Sequence, residues 1–394
     1  MSRITEVEIV EFSFTAKNLG QSADNAQAVY NIGYRPNSSL ELTKFAVAIR
    51  TDDGAEGEYV VQWGGTRATM AQTLSLAPNL LGRDPDQREL IWNEMKRELR
   101  QHDGMGIGPI DIALWDLSGK RFGASVSQLL GGFRTRLKAY ASTYHGDRNG
   151  GLDSPQAFAD FAERCHELGY QAYKLHGWHE GDAREEAANV LYVAKSVGDR
   201  MTLMLDPANE LRTFADALYV GRACDEGGYF WYEDPMRDCG VSAFAHRRLR
   251  EMLKTPILQT EYLRGFETKA DFLIAGGTDM LRSDPEYDLG ITGAMKIAHL
   301  AEAFGIDVEI HACGPAHRHC MAATRNTNYY EVALVGPDCP NAVPPVYACG
   351  YSDQLDAVDR DGTVPVPTGL GLGVTYDWDY IRAHETARQI FQAQ

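Results

Sequence analysis

Eight titratable residues recur at one place in a repeating pattern, each closing a short apolar run. They are Lys174 and His176, Asp206, Glu233, Glu261, Asp284, His311 and Glu331. Asp206 to Glu233 is 27 residues, Glu233 to Glu261 is 28, and Asp284 to His311 is 27. A lone Asp after a strand is ordinarily a helix cap, and an unpaired ion inside an apolar strand costs several kcal/mol. One charged group at the same end of every unit points instead to a shared site. Three carboxylates on consecutive strands, Asp206, Glu233 and Glu261, need a counter-charge. A hard divalent cation supplies it, and an oxygen set without thiolate or imidazole favours Mg2+ over zinc. Lys174 comes from the strand before the trio and His311 from a strand after it, so they would face a bound carboxylate from opposite sides. That is the arrangement for taking a proton α to a carboxylate. A lysine beside a dication has its pKa drawn down toward working pH. Asp284 would hold the His311 ring in one tautomer.

Elements must bring these residues together. Eight apolar runs alternate with helical stretches: Leu137–Ser142, Ala172–Leu175, Met201–Leu205, Tyr229–Tyr232, Pro256–Gln259, Met280–Ser283, Val308–Ile310 and Tyr329–Leu334. The helical periodicity lies near 154–168, 182–197, 211–226, 241–254, 266–276, 291–304 and 315–324. This alternation is the pattern of a closed parallel barrel, whose catalytic residues sit at the C-terminal ends of its strands. A doubly wound open sheet would carry a Gly-rich phosphate turn after its first strand, and none is present. Ahead of the barrel, 3–11, 42–51 and 57–61 read as antiparallel strands, with Asp52-Asp53-Gly54 as a turn. Residues 13–40, polar and rich in Gly, Asn and Ser, are expected to be a long loop. Helical periodicity fills 67–130, with breaks at 82–85 and 104–109. After 335 the chain is Pro- and Gly-rich and is expected to pack back on the N-terminal unit. The organisation expected is therefore 1–135, 136–335 and 336–394.

The chain has 394 residues, 38 Lys+Arg against 55 Asp+Glu, and a formal charge of −17. That balance and the lack of a basic run exclude a nucleic-acid binder, and the acidity disfavours an anionic membrane surface. No apolar stretch approaches a membrane span, and the N-terminus lacks a signal-peptide core, so the expected location is cytoplasmic. Seven cysteines form no C-x-x-C pair and are expected to be reduced and mostly buried. Cys313 and Cys320 lie near His311, His317 and His319, but at no common zinc spacing.

At these residues a resemblance becomes plain. Gly106-Ile107-Gly108-Pro109-Ile110-Asp111-Ile112-Ala113-Leu114-Trp115-Asp116, then Gly119-Lys120 and Leu129-Leu130-Gly131-Gly132, resembles the N-terminal signature of the mandelate racemase subgroup of the enolase superfamily. Lys174-x-His176 sits where that family has Lys-x-Lys. Asp206, Glu233 (in Glu233-Asp234-Pro235) and Glu261 match its metal ligands, Asp284 and His311 its His–Asp dyad. Glu331 matches its eighth-strand, substrate-bonding acid, and 364–373 its closing segment. The resemblance implies an α/β fold, a (β/α)7β modified TIM barrel under an α+β capping domain, with Mg2+ as cofactor. The substrate-selecting loops would be 13–40 and around Gln62-Trp63-Gly64, with Tyr34, Arg35 and Trp63 lining the pocket. Two departures stand out. Asn209 falls three residues after Asp206 rather than two, and the second base position is His176. Alternation puts Lys174 and His176 on one face. Either His176 shares or takes over proton abstraction, or it is structural, bonded to Trp178 or a loop carbonyl with Lys174 as sole base.

The reaction expected is dehydration of a sugar acid to a 2-keto-3-deoxy acid, with racemisation or epimerisation on the same site as the alternative. A catalytically silent metal-binding scaffold would leave Lys174 and His311 unexplained. The expected partners are a small-molecule carboxylate and further copies of the chain in a homo-oligomer, with no nucleic acid and no membrane.

Overall fold

The computed structural model describes residues 2–21, 32–64, 66–237, 240–339 and 343–393. The chain opens with a four-stranded antiparallel sheet. Strands β1 (Ile4–Gln21), β2 (Ile32–Thr51) and β3 (Glu56–Val60) run in sequence, followed by helices α1 (Arg67–Leu76), α2 (Arg88–Glu98), α3 (Ile107–Phe122) and α4 (Val126–Leu129). Helix α3 is buried along most of its length and packs under the sheet. A Cβ at Gly57 of β3 would lie 2.1 Å from the Ala113 carbonyl, so only glycine lets the two approach this closely. The sequence break at 104–109 is shorter than expected. Helix α3 already starts at Ile107, because Pro109 falls in its first turn, where no N–H is needed.

The stretch 13–40 is not a loop over its described residues but two arms of one ribbon. β1 and β2 stay paired from Ile4↔Thr51 out to Gln21↔Ile32. Phe12, Phe14 and Ala16 are buried while Thr15 and Lys17 are exposed, so a polar composition hid a period-2 pattern with one wet face. Residues 22–31 of that expected loop lie outside the described residues.

The barrel follows as β4 (Arg136–Thr143), α5 (Pro155–Leu168), β5 (Ala172–Leu175), α6 (Ala183–Val197), β6 (Thr202–Leu205), α7 (Phe214–Gly227), β7 (Trp231–Glu233), α8 (Ala243–Arg250), β8 (Ile257–Gln259), α9 (Phe266–Ile274), β9 (Met280–Ser283), α10 (Gly290–Phe304), β10 (Val308–Ile310), α11 (Pro315–Ala323) and β11 (Tyr330–Val335). The helices begin where local chemistry starts them: Ser154, Asp182, Thr213 and Ser242 each cap the first turn through a side-chain oxygen. The eight strands are parallel in the order β10-β9-β8-β7-β6-β5-β4-β11, the curled sheet of a (β/α)7β barrel with β10 and β11 at its two ends. At the seam between β10 and β11, Val308 N donates to Asn326 O at 2.9 Å, and Glu309 accepts from the amides of Asn328 and Tyr329.

Beyond β11, β12 (Thr363–Pro365) pairs antiparallel with β4. After α12 (Trp378–Ala383), β13 (Glu385–Gln392) adds to β1 as an edge strand of the first sheet. Cys165, Cys224, Cys313, Cys320 and Cys339 are free and buried, and Cys349 is free and exposed; Cys239 lies outside the described residues. His319 does not join a zinc knuckle: its ring bonds Ser127 N and Leu372 O, and burial holds it down at about 4. No helix among the described residues is long and apolar enough to cross a membrane.

Candidate active site

All eight residues singled out from the sequence converge at the C-terminal mouth of the barrel. Asp206 follows β6, Glu233 ends β7 and Glu261 follows β8 by two residues. One carboxylate oxygen of each lies within 4.8 Å of the others, and all three are buried. Lys174 of β5 is enclosed by three acids: its Nζ stands 3.2 Å from Asp206 Oδ2, 3.0 Å from Glu233 Oε2 and 3.0 Å from Glu331 Oε1. Burial opposes the ammonium, but the charges of Glu233 and Glu331 outweigh it and hold Lys174 well above the usual lysine range. Asp206 is driven the other way. Burial raises it, yet Lys174 and His176 together hold it well below the ordinary Asp range.

A cation that the strand-end reading missed completes this cluster. Arg282, fully buried in β9, places Nε 2.7 Å from Glu233 Oε1 and Nη2 2.7 Å from Glu331 Oε2, and donates to the Tyr140 hydroxyl at 3.1 Å. It precedes Asp284 by two residues, so strand alternation puts both on the barrel's inner face. Glu331 also accepts from Ala312 N at 2.7 Å. Burial raises Glu331, but Lys174 and Arg282 more than reverse this and hold its carboxyl far below the ordinary range.

On the opposite flank, His311 Nδ1 lies 2.6 Å from Asp284 Oδ2, and its Nε2 lies 3.6 Å from Glu261 Oε1. Burial disfavours the charged ring, but Glu261 and Asp284 hold it up at about 9. The Tyr287 ring leans over His311 with centroids 5.2 Å apart. His176 Nε2 sits 3.0 Å from Asp206 Oδ2, and its backbone N–H donates to Thr143 Oγ1. The ring of His176 bonds neither Trp178 nor a loop carbonyl, the partners its structural alternative named. Trp178 instead gives its amide to Glu186 and its indole N–H to Leu152 O. Glu186 thereby fixes the loop after β5, and burial pushes its carboxyl up to about 8. The backbone N–H of Asn209 donates to the Asp234 carbonyl at 2.7 Å.

The capping residues divide. Trp63 reaches the loop after β10, its indole N–H 3.4 Å from Cys313 Sγ. It is held there by Glu286, whose carboxylate accepts from the amides of Gln62, Trp63 and Gly64 and from the Tyr59 hydroxyl. Nothing in the local sequence around Glu286 signals that cradle. Tyr34 and Arg35 lie at the β4 side instead: Tyr34 N–H donates to His145 O, and Arg35 pairs with Asp147 at 3.8 Å.

Comparison with known proteins agrees with this arrangement. Residues 38–131 match the family described as the mandelate racemase/muconate lactonizing enzyme N-terminal domain, and residues 157–380 match the enolase C-terminal domain-like family. The chain is 32% identical over 350 residues to D-galactarolactone cycloisomerase of Agrobacterium fabrum, covering 84% of this chain and 89% of that protein. It is 28% identical over 377 residues to L-talarate/galactarate dehydratase of Salmonella typhimurium, covering 94% of this chain and 88% of that one. Among solved structures, D-glucarate dehydratase from Agrobacterium tumefaciens complexed with magnesium superposes with a TM-score of 0.83 at 28% identity, covering 98% of this chain and 99% of that one. With both family segments in order, flanking a mouth of three clustered carboxylates, the chain belongs to the mandelate racemase/muconate lactonizing enzyme family of the enolase superfamily.

Proposed function

We propose that this chain is a Mg2+-dependent dehydratase of a sugar acid. The observation that carries the reading is the pairing of His311 with Asp284 at the rim of a carboxylate trio whose charge is out of balance. Four buried carboxylates, Asp206, Glu233, Glu261 and Glu331, face two enclosed cations, Lys174 and Arg282. The two negative charges left over are what one dication would cancel, and an all-oxygen donor set suits Mg2+. Asp206, Glu233 and Glu261 would hold it. When bound, the ion supplies the positive charge that acidifies the position α to the substrate carboxylate and lets an enediolate form.

The chain's own residues then divide the proton work. Two of the acids around Lys174, Asp206 and Glu233, would hold the metal, but Glu331 stays paired with it at 3.0 Å, so Lys174 serves as a fixed cation. Mg2+ on Glu261 would offset the carboxylate charge that holds the ring up, and His311 Nε2, whose other nitrogen is anchored on Asp284, is then the base. His176, one residue past β5, lies against the trio at Asp206, 3.0 Å from its Oδ2. It is the group placed to protonate the departing β-hydroxyl, which leaves as water. The enol that remains rearranges to a 2-keto-3-deoxy acid. Glu331 has both oxygens engaged by Lys174, Arg282 and Ala312, so it orients those cations rather than meeting substrate. Residues 1–135 form the cap over the barrel of 136–335, and 336–394 return to it. Support comes from Leu372 N, which bonds Asp116 of α3, and from β13, which pairs β1.

Titratable groups on both flanks also favour a second reading, racemisation or epimerisation with His176 and His311 acting in turn. Incubation with a panel of aldonic and aldaric acids in D2O with Mg2+ separates them. A 2-keto-3-deoxy product lost on chelation supports dehydration. Deuterium at the α-carbon with no keto acid moves the assignment to the second reading, and turnover that survives chelation sinks both.

A further inference from the structure

Asp284 carries two histidines, and the proton transfer proposed above uses only one. Its Oδ2 faces His311 Nδ1 at 2.6 Å, while its Oδ1 faces Nε2 of His317 at 3.2 Å. We propose that His317 is a positioning residue that clamps the Asp284 carboxylate and the His311 loop into one rigid unit; the proposal rests on the reading that His311 moves the α-proton.

His317 lies in the first turn of α11, and its ring is fully buried. A carboxylate oxygen can only accept, so the ring proton sits on Nε2. Nδ1 has no hydrogen-bond partner. Space for that bare edge comes from Gly314, where a Cβ would lie 2.8 Å from His317 Nδ1. Asp284 Oδ1 also accepts from Glu286 N at 2.6 Å and from Tyr287 N at 3.4 Å. Turning the carboxylate would therefore break three bonds on one oxygen, and Oδ2 stays aimed at His311.

The backbone amides alone do not explain the clamp, because both belong to the same loop as Asp284. His317 comes from a different element, and it is six residues from His311 along the chain. Both ends of the 311–317 segment are thus tied to the two oxygens of one carboxylate. That closes a short ring of chain, and it fixes the distance between the base and its partner. Outer partners of this kind orient a functional imidazole, and losing one typically costs about tenfold to a hundredfold in activity.

His317→Gln keeps a donor at the reach of Nε2, His317→Leu removes it, and His317→Asn keeps an amide too short to arrive. Steady-state kinetics on the substrate found by the acid-sugar panel should show kcat about tenfold to a hundredfold lower for the Leu and Asn variants. KM and calorimetric Mg2+ affinity should stay near wild type, and the Gln variant should recover kcat to within about threefold. NMR of 15N-histidine-labelled protein supplies a readout independent of turnover. The His311 Nδ1–H resonance should persist in wild type and in the Gln variant and broaden or shift in the other two. Wild-type kcat in the Leu or Asn variant, or equal losses in Gln and Asn, would overturn the clamp. If Leu fails to fold, Gln against Asn decides. Inactivity of the wild type on every acid sugar defeats the proposed function instead, and leaves the resonance to judge the clamp.

Discussion

Arg282→Met is the perturbation that tests the charge balance of the barrel most directly. The arginine is wholly buried and grips Glu233 and Glu331 at 2.7 Å each. Met keeps the unbranched apolar stem of arginine without its charged head, so four carboxylates are left facing Lys174 alone. Breaking a buried pair by deleting one partner typically costs about 3–5 kcal/mol, and here one cation serves two acids, so the upper part of that range is expected. The chain has one escape: Glu233 or Glu331 can take up a proton, at about 1.4 kcal/mol per pH unit. The deficit between wild type and variant in chelator should therefore be largest near pH 8 and shrink toward pH 5. Saturation with Mg2+ at about a hundred times its Kd should stabilise either protein by about 2.7 kcal/mol. Urea unfolding followed by tryptophan fluorescence and circular dichroism, in EDTA and in Mg2+, gives all of these numbers. A deficit below about 1 kcal/mol at pH 8, or one that does not change with pH, would refute the reasoning, because an unbalanced buried carboxylate cannot be that inexpensive.

Three further outcomes are expected. Glu261→Gln removes a trio charge without touching Lys174 or Arg282, so calorimetry should show Mg2+ affinity falling by about tenfold or more while the chelated protein keeps its stability; unchanged affinity would remove Glu261 from the metal set. His311→Asn should abolish both turnover and solvent exchange of the α-proton, and Asp284→Asn, which orients the ring, should be milder; equal and negligible effects by NMR in D2O would exclude the dyad. Burial pushes Glu186 up to about 8, so between the ordinary Glu range and pH 8 the folded state binds the extra proton. Stability should then fall as pH rises through that window, by up to about 1.4 kcal/mol per unit, and Glu186→Gln should flatten the slope in urea titrations.

The site was legible because its period is imposed by the fold. A strand that ends at a barrel mouth must change from apolar to functional at one position, and seven such changes in register exposed Asp206, Glu233, Glu261, Asp284 and His311. The same reasoning stopped short at residues one step inside the strand. Arg282 sits within Met280-Leu281-Arg282-Ser283 and reads as an interruption of an apolar run, since only the opposing acids on β7 and β11 make a buried guanidinium tolerable. Each partner is 49 residues away in the chain, Glu233 before it and Glu331 after it, and no local pattern reports them. Glu286 was silent for the same reason: its three backbone donors belong to residues 62–64, more than 220 positions away.

The cap was misjudged for a different reason. Composition marked 13–40 as loop because Gly, Asn and Ser are rare in strands, yet in an antiparallel ribbon only alternate side chains need burial. Phe14, Ala16 and Leu19 meet that need on β1, and the ladder with β2 satisfies the backbone whatever the exposed side chains are. β13 shows the limit of the argument, since its side chains are almost all exposed while its backbone pairs with β1 along the edge. Barrel strands, buried on both faces, must be apolar and so announce themselves. Cap strands, wet on one face or at an edge, are free to vary in sequence. That freedom sits next to a mouth whose charged residues are fixed by mutual contact, which is why the barrel of this chain is easier to read from sequence than its cap.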